Sequence, residues 1–308
     1  MNTILKVYTS NGIQDVDVLF SEFPDKDTYC LIEQTSVIAG HHVLINHELY
    51  PEQNQQIVKL LFLVDLLKDL DAKSISVFVP YLPYARQDKR HFAGEAVSAN
   101  TLSKLIALSG VNTLYTFDCH FMKGTPETEH QGLRIVNVSL GSYLLDYFKT
   151  QMGDSPYDVI GPDNGSSYLV REHGNRRMQK ERGEYDADPA VRHRSVTKMK
   201  HDHIEIQSNA VVIIDDMIST GGTLLRAVSG LHDHGVRDIY CIAVHGLFLN
   251  GCYEKLSIQT KAVIVSDTLQ HKNSVDVMAK ARSQEIEPRW LESCTKRSKG
   301  QTLSALSS

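Results

Sequence analysis

A series of short apolar runs recurs along the chain, each closed by polar, glycine or proline residues: "YCLIEQ" (29–34), "HVLINH" (42–47), "SISVFVP" (74–80), "NTLYTFD" (112–118), "YDVIGPD" (157–163), "NAVVIIDD" (209–216), "DIYCIAVHG" (238–246) and "KAVIVSD" (261–267). Several are continuous rather than alternating, the pattern of parallel strands covered on both faces. Between some of them lie segments of helical period, "NQQIVKLLFLVDLLKDLDA" (54–72) and "SANTLSKLIALSG" (98–110), with apolar residues near i, i+3, i+4 and i+7. Strand and helix in alternation predict an α/β architecture with mainly parallel sheets and right-handed crossovers. The 308 residues suffice for two ordinary domains. The polar, turn-rich stretch "KTQMGDSP" (149–156) is the candidate boundary. The expected division is 1–150, 151–290 and a frayed tail over 291–308.

Composition narrows the function classes. With 42% hydrophobic and 22% charged residues the chain reads as a soluble globular protein. A formal net charge of −5 offers no global electrostatic case for nucleic-acid binding. No apolar run reaches the length of a membrane span, and the N-terminus lacks a signal-peptide pattern. The five cysteines form no C-x-x-C pair, which points to a reducing compartment. A cytoplasmic location is the expectation.

The segment "VVIIDDMISTGGTLLRAV" (211–228) carries the clearest chemistry. A strand runs into Asp215 and Asp216, then into Ser219, Thr220, Gly221, Gly222 and Thr223, and then into a helical stretch. In open α/β sheets, ligands bind beyond the carboxyl ends of the strands. A glycine-opened turn there leaves backbone N–H groups for an anion, and the helix adds its positive end. The adjacent acids suit sugar hydroxyls or a divalent cation. An Asx-capped strand end followed by an ordinary helix is the plainer reading of the same letters.

This stretch resembles the phosphoribosyl pyrophosphate-binding motif of type I phosphoribosyltransferase folds. A second segment, "VPYLPYARQDKRHFAGEAVSANTLSKLIALSGVNTLYTFDCHF" (79–121), resembles the ATP-binding region of ribose-phosphate pyrophosphokinases. That family's pattern is Pro-Tyr-x-x-Tyr-Ala-Arg-Gln-Asp-[Arg/Lys]-Arg, then Gly-Glu-x-[Ile/Val]-Ser-Ala, then a strand ending Asp-x-His. Further similarities are "SEFPDKDTY" (21–29), with Asp27 where the family has Glu, "VIGPDNG" (159–165), "KERG" (180–183) and "AVHGLFLNG" (243–251). The resemblance spans roughly residues 15–270.

The resemblance implies two tandem phosphoribosyltransferase-like α/β domains. It also implies transfer of the diphosphate of ATP to the C1 hydroxyl of a 5-phosphorylated ribose, with Mg²⁺. Arg86, Gln87, Asp88 and Arg90 would hold ATP, joined by Phe23, Asp25 and Asp27 reaching across a subunit interface. A homo-oligomer, dimer or hexamer, with a shared ATP site follows. Asp215 and Asp216 would hold ribose hydroxyls, and Ser219, Thr220, Gly221, Gly222 and Thr223 the 5-phosphate. His120 and Asp163 would serve the metal, and Lys180 and Arg182 the transferred group; alone, "RRMQKERGEYD" reads as a charged, exposed loop. Asp118 and His120, alternate residues at a strand end, are expected to share a face, and Cys119 to point into the core. His41, His42, His201, His203, His232 and His234 read as surface. The acceptor side departs more from the family: Ser219 replaces the usual Asp, "PDNGSS" the usual Pro-Asp-x-Gly-Gly, and Leu169 a common basic residue. Ribose 5-phosphate is the first acceptor expected. ADP-ribose, with extra contacts from Arg171, Arg176 and Arg177, is the alternative acceptor. A non-catalytic regulatory homologue and a plain phosphoribosyltransferase are the further readings, against which stand the Arg86-Gln87-Asp88, His120 and Lys180-x-Arg182 sets and the 79–121 segment.

Overall fold

The computed structural model describes the backbone of residues 3–171, 178–185, 194–200 and 206–305, and the side chains of 3–171, 178 and 206–297. The chain divides into two compact units: 1–138 together with 279–308, and 139–278.

The first unit is built on a seven-stranded sheet of order β2-β1-β5-β6-β7-β9-β8. Its strands are β1 (Ile4–Thr9), β2 (Gly12–Asp17), β5 (His42–Asn46), β6 (Ser74–Phe78), β7 (Thr113–Phe117), β8 (Glu127–His130) and β9 (Leu133–Val138). The four central strands, β5, β6, β7 and β9, run parallel. Antiparallel hairpins close both edges. Strands β6 and β7 are buried at every position, Ser74, Ser76, Thr113 and Thr116 included, as central strands of a parallel sheet covered on both faces are. Helix α1 (Gln53–Asp69) turns Leu60, Leu63, Val64 and Leu67 into the core, and α2 (Ser98–Ser109) turns in Leu102 and Ile106. A separate exposed hairpin, β3 (Leu19–Glu22) with β4 (Thr28–Leu31), projects the turn around Asp25.

The second unit has a five-stranded, wholly parallel sheet of order β10-β13-β14-β15-β16. These strands are β10 (Tyr157–Ile160), β13 (Ala210–Ile218), β14 (Asp238–Gly246), β15 (Ala262–Ser266) and β16 (Ser274–Val275). Helices α3 (Gly141–Met152), α4 (Gly222–Asp233) and α5 (Cys252–Gln259) cover it. Strands β11 (Gln179–Tyr185) and β12 (Arg194–Lys200) form an antiparallel hairpin of their own. No helix among the described residues is long and apolar enough to cross a membrane.

Four expectations change. The turn-rich 149–156 segment ends α3 inside the second unit, and the division falls ten residues or so earlier, at 138/139. The C-terminal segment is no free tail. Helix α6 (Met278–Ala281) passes through a π-helical turn (Arg282–Ile286) into α7 (Glu287–Ala305), which joins the first unit. Trp290 and Cys294, one turn apart, are wholly buried there, and the Trp290 ring meets Tyr8 edge-on at 6.4 Å. The charged segment around Lys180 is a β-hairpin strand rather than a loop. His42 is buried, its Nδ1 2.6 Å from Ser74 Oγ, because it opens the parallel strand β5 instead of facing solvent. His201 and His203 lie outside the described residues.

Candidate active site

In the second unit, β13 delivers the acids and the anion-accepting turn in one continuous stroke. Its residues Ala210–Ile214 are buried, Asp215 is half-buried, and Asp216, Met217 and Ile218 are buried again, so the acids sit at the inner end of the strand rather than in solvent. The Asp216 side chain is buried, and its backbone N–H donates to Asp215 Oδ1 at 3.0 Å. Asp163, brought over from the loop after β10, joins them. Its Oδ1 accepts from Gly165 N at 2.7 Å, which fixes the carboxylate at the head of a short 3-10 turn. That loop is tight: a Cβ at Gly161 would come within 2.8 Å of Ser166 Oγ, itself bonded to Asp163 O at 3.1 Å. The consequence is electrostatic. Asp215 is half-buried as a residue but its carboxyl group is enclosed, so burial drives its pKa well above the carboxylate range. The charges of Asp216 and Asp163 drive it further. The strain of three neighbouring acids is relieved by a proton, as at Asp215, or by sugar hydroxyls or a cation.

The turn follows at once. Ile218 O accepts from Leu247 N (2.9 Å) and Phe248 N (3.2 Å). Ser219 O accepts from Leu249 N (2.9 Å) and from Cys252 Sγ (3.2 Å). The turn is thereby clamped to the segment that follows β14. Gly221 then adopts φ +74°, a left-handed conformation, as the N-cap of α4. It supplies no side chain to cap the first turn, so the positive end of the helix dipole is turned toward any anion bound there. The hairpin's second strand, β12, packs against α4. Lys180 and Arg182 lie on the other strand of that hairpin, β11. Lys180 pairs with Met199 and Arg182 with Val196, and the register shifts between Glu181 and Arg182. Their side chains, and those of Arg176 and Arg177, lie outside the described set.

In the first unit, the loop after β6 is stiff as well as charged. Tyr81, Leu82 and Ala85 are buried, and Tyr81 meets Tyr50 edge-on at 6.0 Å. Tyr84 turns through φ +62° and its hydroxyl bonds Asn54 Oδ1. Gln87 N bonds back to Tyr84 O at 3.1 Å, and Gln87 O accepts from Ala99 N at 3.2 Å, which ties the loop to the start of α2. Arg86 and Arg90 are thereby presented on the surface. Arg90 Nε donates to Glu95 O at 2.8 Å, and the Glu95 carboxylate accepts the amides of His91 and Phe92. Asp88 lies near enough to His130 to influence its charge. The His130 ring in turn stacks on Phe121 with centroids 4.6 Å apart. The Arg86–Arg90 loop and the 118–121 segment therefore converge within this unit.

The alternation argument for Asp118 and His120 does not hold. Strand β7 stops at Phe117, and Asp118 takes φ +35° with its side chain fully buried, whereas His120 is half-buried. Cys119 is in the core, and its amide donates to Asn137 Oδ1 at 2.7 Å. The exposed β3–β4 turn holds Phe23, Asp25 and Asp27 together: Phe23 N bonds Asp27 O at 2.8 Å and Asp27 N bonds Asp25 Oδ1 at 3.3 Å. Phe23 is half exposed and packs only edge-on against Tyr29. Glu95 falls in the Gly-Glu-x-Val-Ser-Ala motif, but sequence reasoning gave it no role; it missed His130 and Arg226 outright, which matter through a partner remote in sequence and through a rotamer. The Gly222–Arg226 spacing of one helical turn was the only available signal for the last.

Among the described residues no group of three His, Cys, Asp or Glu forms a preformed metal cage. Oxygen donors in small number nonetheless suit Mg²⁺, which keeps waters and substrate phosphates in its shell. The mutual repulsion of Asp163, Asp215 and Asp216 that raises the Asp215 pKa is of the kind a hard cation would offset.

A parallel sheet that ends in paired acids and a glycine-capped helix defines a phosphoribosyltransferase-type site. The comparisons make that class specific. Residues 3–110 match the N-terminal domain of ribose phosphate pyrophosphokinase, and residues 142–280 the phosphoribosyl transferase domain. The ribose-phosphate pyrophosphokinase of Sulfurisphaera tokodaii is 30% identical over 253 residues, covering 80% of this chain and 82% of that one. That of Pyrococcus abyssi is 28% identical over 256 residues, covering 82% and 85%. A solved structure of phosphoribosylpyrophosphate synthetase from Mycobacterium smegmatis superposes with a TM-score of 0.66 at 23% identity, over 84% of this chain and 85% of that one. The chain belongs to the ribose-phosphate pyrophosphokinase family, and it is an enzyme of the diphosphotransferase class.

Proposed function

We propose that this enzyme transfers the β,γ-diphosphate of ATP to the C1 hydroxyl of ribose 5-phosphate, releasing AMP and forming phosphoribosyl pyrophosphate. The observation that carries the reading is the conjunction in the second unit: three clustered acids directly followed by an open helix N-terminus. Such a site takes a molecule with hydroxyls at one end and a phosphate at the other. In the reaction the C1 oxygen bonds to the β-phosphorus, the bond from that phosphorus to the α,β-bridging oxygen breaks, and the hydroxyl proton departs. Asp215 and Asp216 orient the ribose hydroxyls, and the Ser219–Thr223 turn holds the 5-phosphate. The Arg86, Gln87, Asp88 and Arg90 loop seats ATP, with guanidinium groups on its phosphates. Lys180 and Arg182 offset charge on the group in transit, so positioning and charge neutralisation supply most of the acceleration. Mg²⁺ would supply charge neutralisation of the triphosphate, with His120 a candidate ligand in the first unit and Asp163, in the second, serving a further metal ion or the ribose. The exposed Phe23–Asp27 turn, unburied by its own unit, is placed to complete the ATP seat of a neighbouring copy, which makes a homo-oligomer part of this proposal.

The ADP-ribose alternative draws no support from relatives named for ribose phosphate. The test gives the protein ATP, Mg²⁺ and either ribose 5-phosphate or ADP-ribose, and follows nucleotide release and product mass. Stoichiometric AMP with ribose 5-phosphate is expected. ADP in place of AMP, or turnover only with ADP-ribose, would sink the reading.

A further inference from the structure

Arg226 is a basic residue that the proposed reaction leaves without a task. It lies one helical turn beyond Gly222 on α4, and helical side chains lean toward the N-terminus. A Cβ built at Gly222 would lie 3.3 Å from Arg226 Nη2 and 3.8 Å from Cζ. The guanidinium is therefore laid back over the first turn of the helix, in space that exists because residue 222 is glycine. Gly222 itself has no left-handed φ, so its backbone does not ask for glycine.

The electrostatics of that placement are adverse. The N-terminus of α4 carries partial positive charge, and no side chain caps it. Arg226 adds a full positive charge at the same end. Its Nε is buried with no hydrogen-bond partner among the described residues. Burial lowers its pKa, and among the described residues no carboxylate compensates it. A half-buried cation whose Nε is buried, lying over a helix N-terminus that no side chain caps, is stabilised by an anion that bonds both.

We propose that Arg226 binds the 5-phosphate of the acceptor, closing over the Ser219–Thr223 turn from the helix side. The turn's amides engage one side of the phosphate, and the planar guanidinium offers paired N–H donors to its remaining oxygens. This deepens the function proposed above and rests on it for the identity of the ligand. It also gives the two glycines separate jobs: Gly221 makes the turn, and Gly222 makes room for the cation.

The experiment measures binding of ribose 5-phosphate, and separately of inorganic phosphate and ATP, to the full chain by titration calorimetry. Arg226→Ala is expected to weaken ribose 5-phosphate by about 10- to 100-fold, the scale of a lost charge-assisted pair. ATP affinity should stay within about twofold of the wild-type value, since ATP has its own seat. Arg226→Lys should recover part of the loss, which a merely structural role would not require. Gly222→Ala, by pushing the guanidinium aside, should reproduce part of it, and the Gly222→Ala/Arg226→Ala double variant should bind no worse than Arg226→Ala. Arg226→Met keeps the aliphatic stem and replaces Arg226→Ala should the latter fail to fold. A folded variant that binds ribose 5-phosphate as tightly as wild type overturns the proposal, as does a wild-type chain that binds neither sugar phosphate nor inorganic phosphate. Arg226-dependent phosphate binding without AMP formation would keep this site and remove the function proposed above. AMP formation with an unaltered acceptor KM in Arg226→Ala would do the reverse.

Discussion

The two adjacent glycines of the phosphate turn should respond to alanine in opposite ways. At Gly221 the backbone is left-handed, with φ +74°, and an added Cβ would meet Cys252 Cβ at 2.9 Å and Sγ at 3.4 Å. A residue with a Cβ in that conformation costs about 1–2 kcal/mol. Forcing a methyl into an occupied space costs about 1–3 kcal/mol more. Cys252 is fully buried and its sulfur is bonded to Ser219 O, so it cannot swing away. Gly221→Ala should therefore lose about 2–5 kcal/mol of stability. At Gly222 the backbone has no positive φ, and the nearest atom is the end of the flexible Arg226 side chain at 3.3 Å. Gly222→Ala restricts the unfolded chain and should be neutral or up to about 1 kcal/mol stabilising. Equilibrium unfolding in urea reads both, with circular dichroism following the helices. Adding Cys252→Ala to Gly221→Ala removes the sulfur but keeps the closer β-carbon, so most of the loss should persist. Equal losses at the two positions, or a Gly221→Ala variant within about 0.5 kcal/mol of wild type, would refute the geometry from which these numbers come.

Two pH effects follow from buried ionisable groups. The raised pKa of Asp215 means that the folded protein holds this proton more tightly than the unfolded chain does. Its contribution is complete below the ordinary carboxylate pKa and is lost as pH rises through the folded value. At pH 8, Asp215→Asn should therefore stabilise the ligand-free protein by about 1–2 kcal/mol while impairing turnover, a stability–activity trade-off; a urea midpoint at or below wild type would contradict it. His47 behaves in the opposite sense. Burial lowers its pKa to about 4, with Nδ1 2.8 Å from Thr3 Oγ1 and Nε2 2.9 Å from Gln56 O. The neutral ring's contribution is complete above the ordinary histidine pKa and lost as pH falls toward the folded value, a difference of about 3 kcal/mol. Wild type should lose that much more stability than His47→Gln between pH 7 and pH 4, and parallel pH profiles would rule this out.

The chain's own letters determined the parallel sheets and the anion turn. Unbroken apolar runs such as 210–214 suit strands covered on both sides. The 215–223 site is contiguous, so local order alone sets acids, turn and helix start in sequence. The same letters could not show which distant groups would meet them. Asp163 reaches Asp215 because β10 pairs with β13, and Cys252 lies under Gly221 because the segment after β14 folds back onto Ser219. The burial of His42 and the docking of α7 through Trp290 and Cys294 are of this kind too. In α7 two inward residues amid charged neighbours make too faint a helical stripe to read. Propensity and periodicity act over a few residues, whereas these placements come from strand pairing and core burial between segments far apart in the chain. Only the tertiary structure decided them.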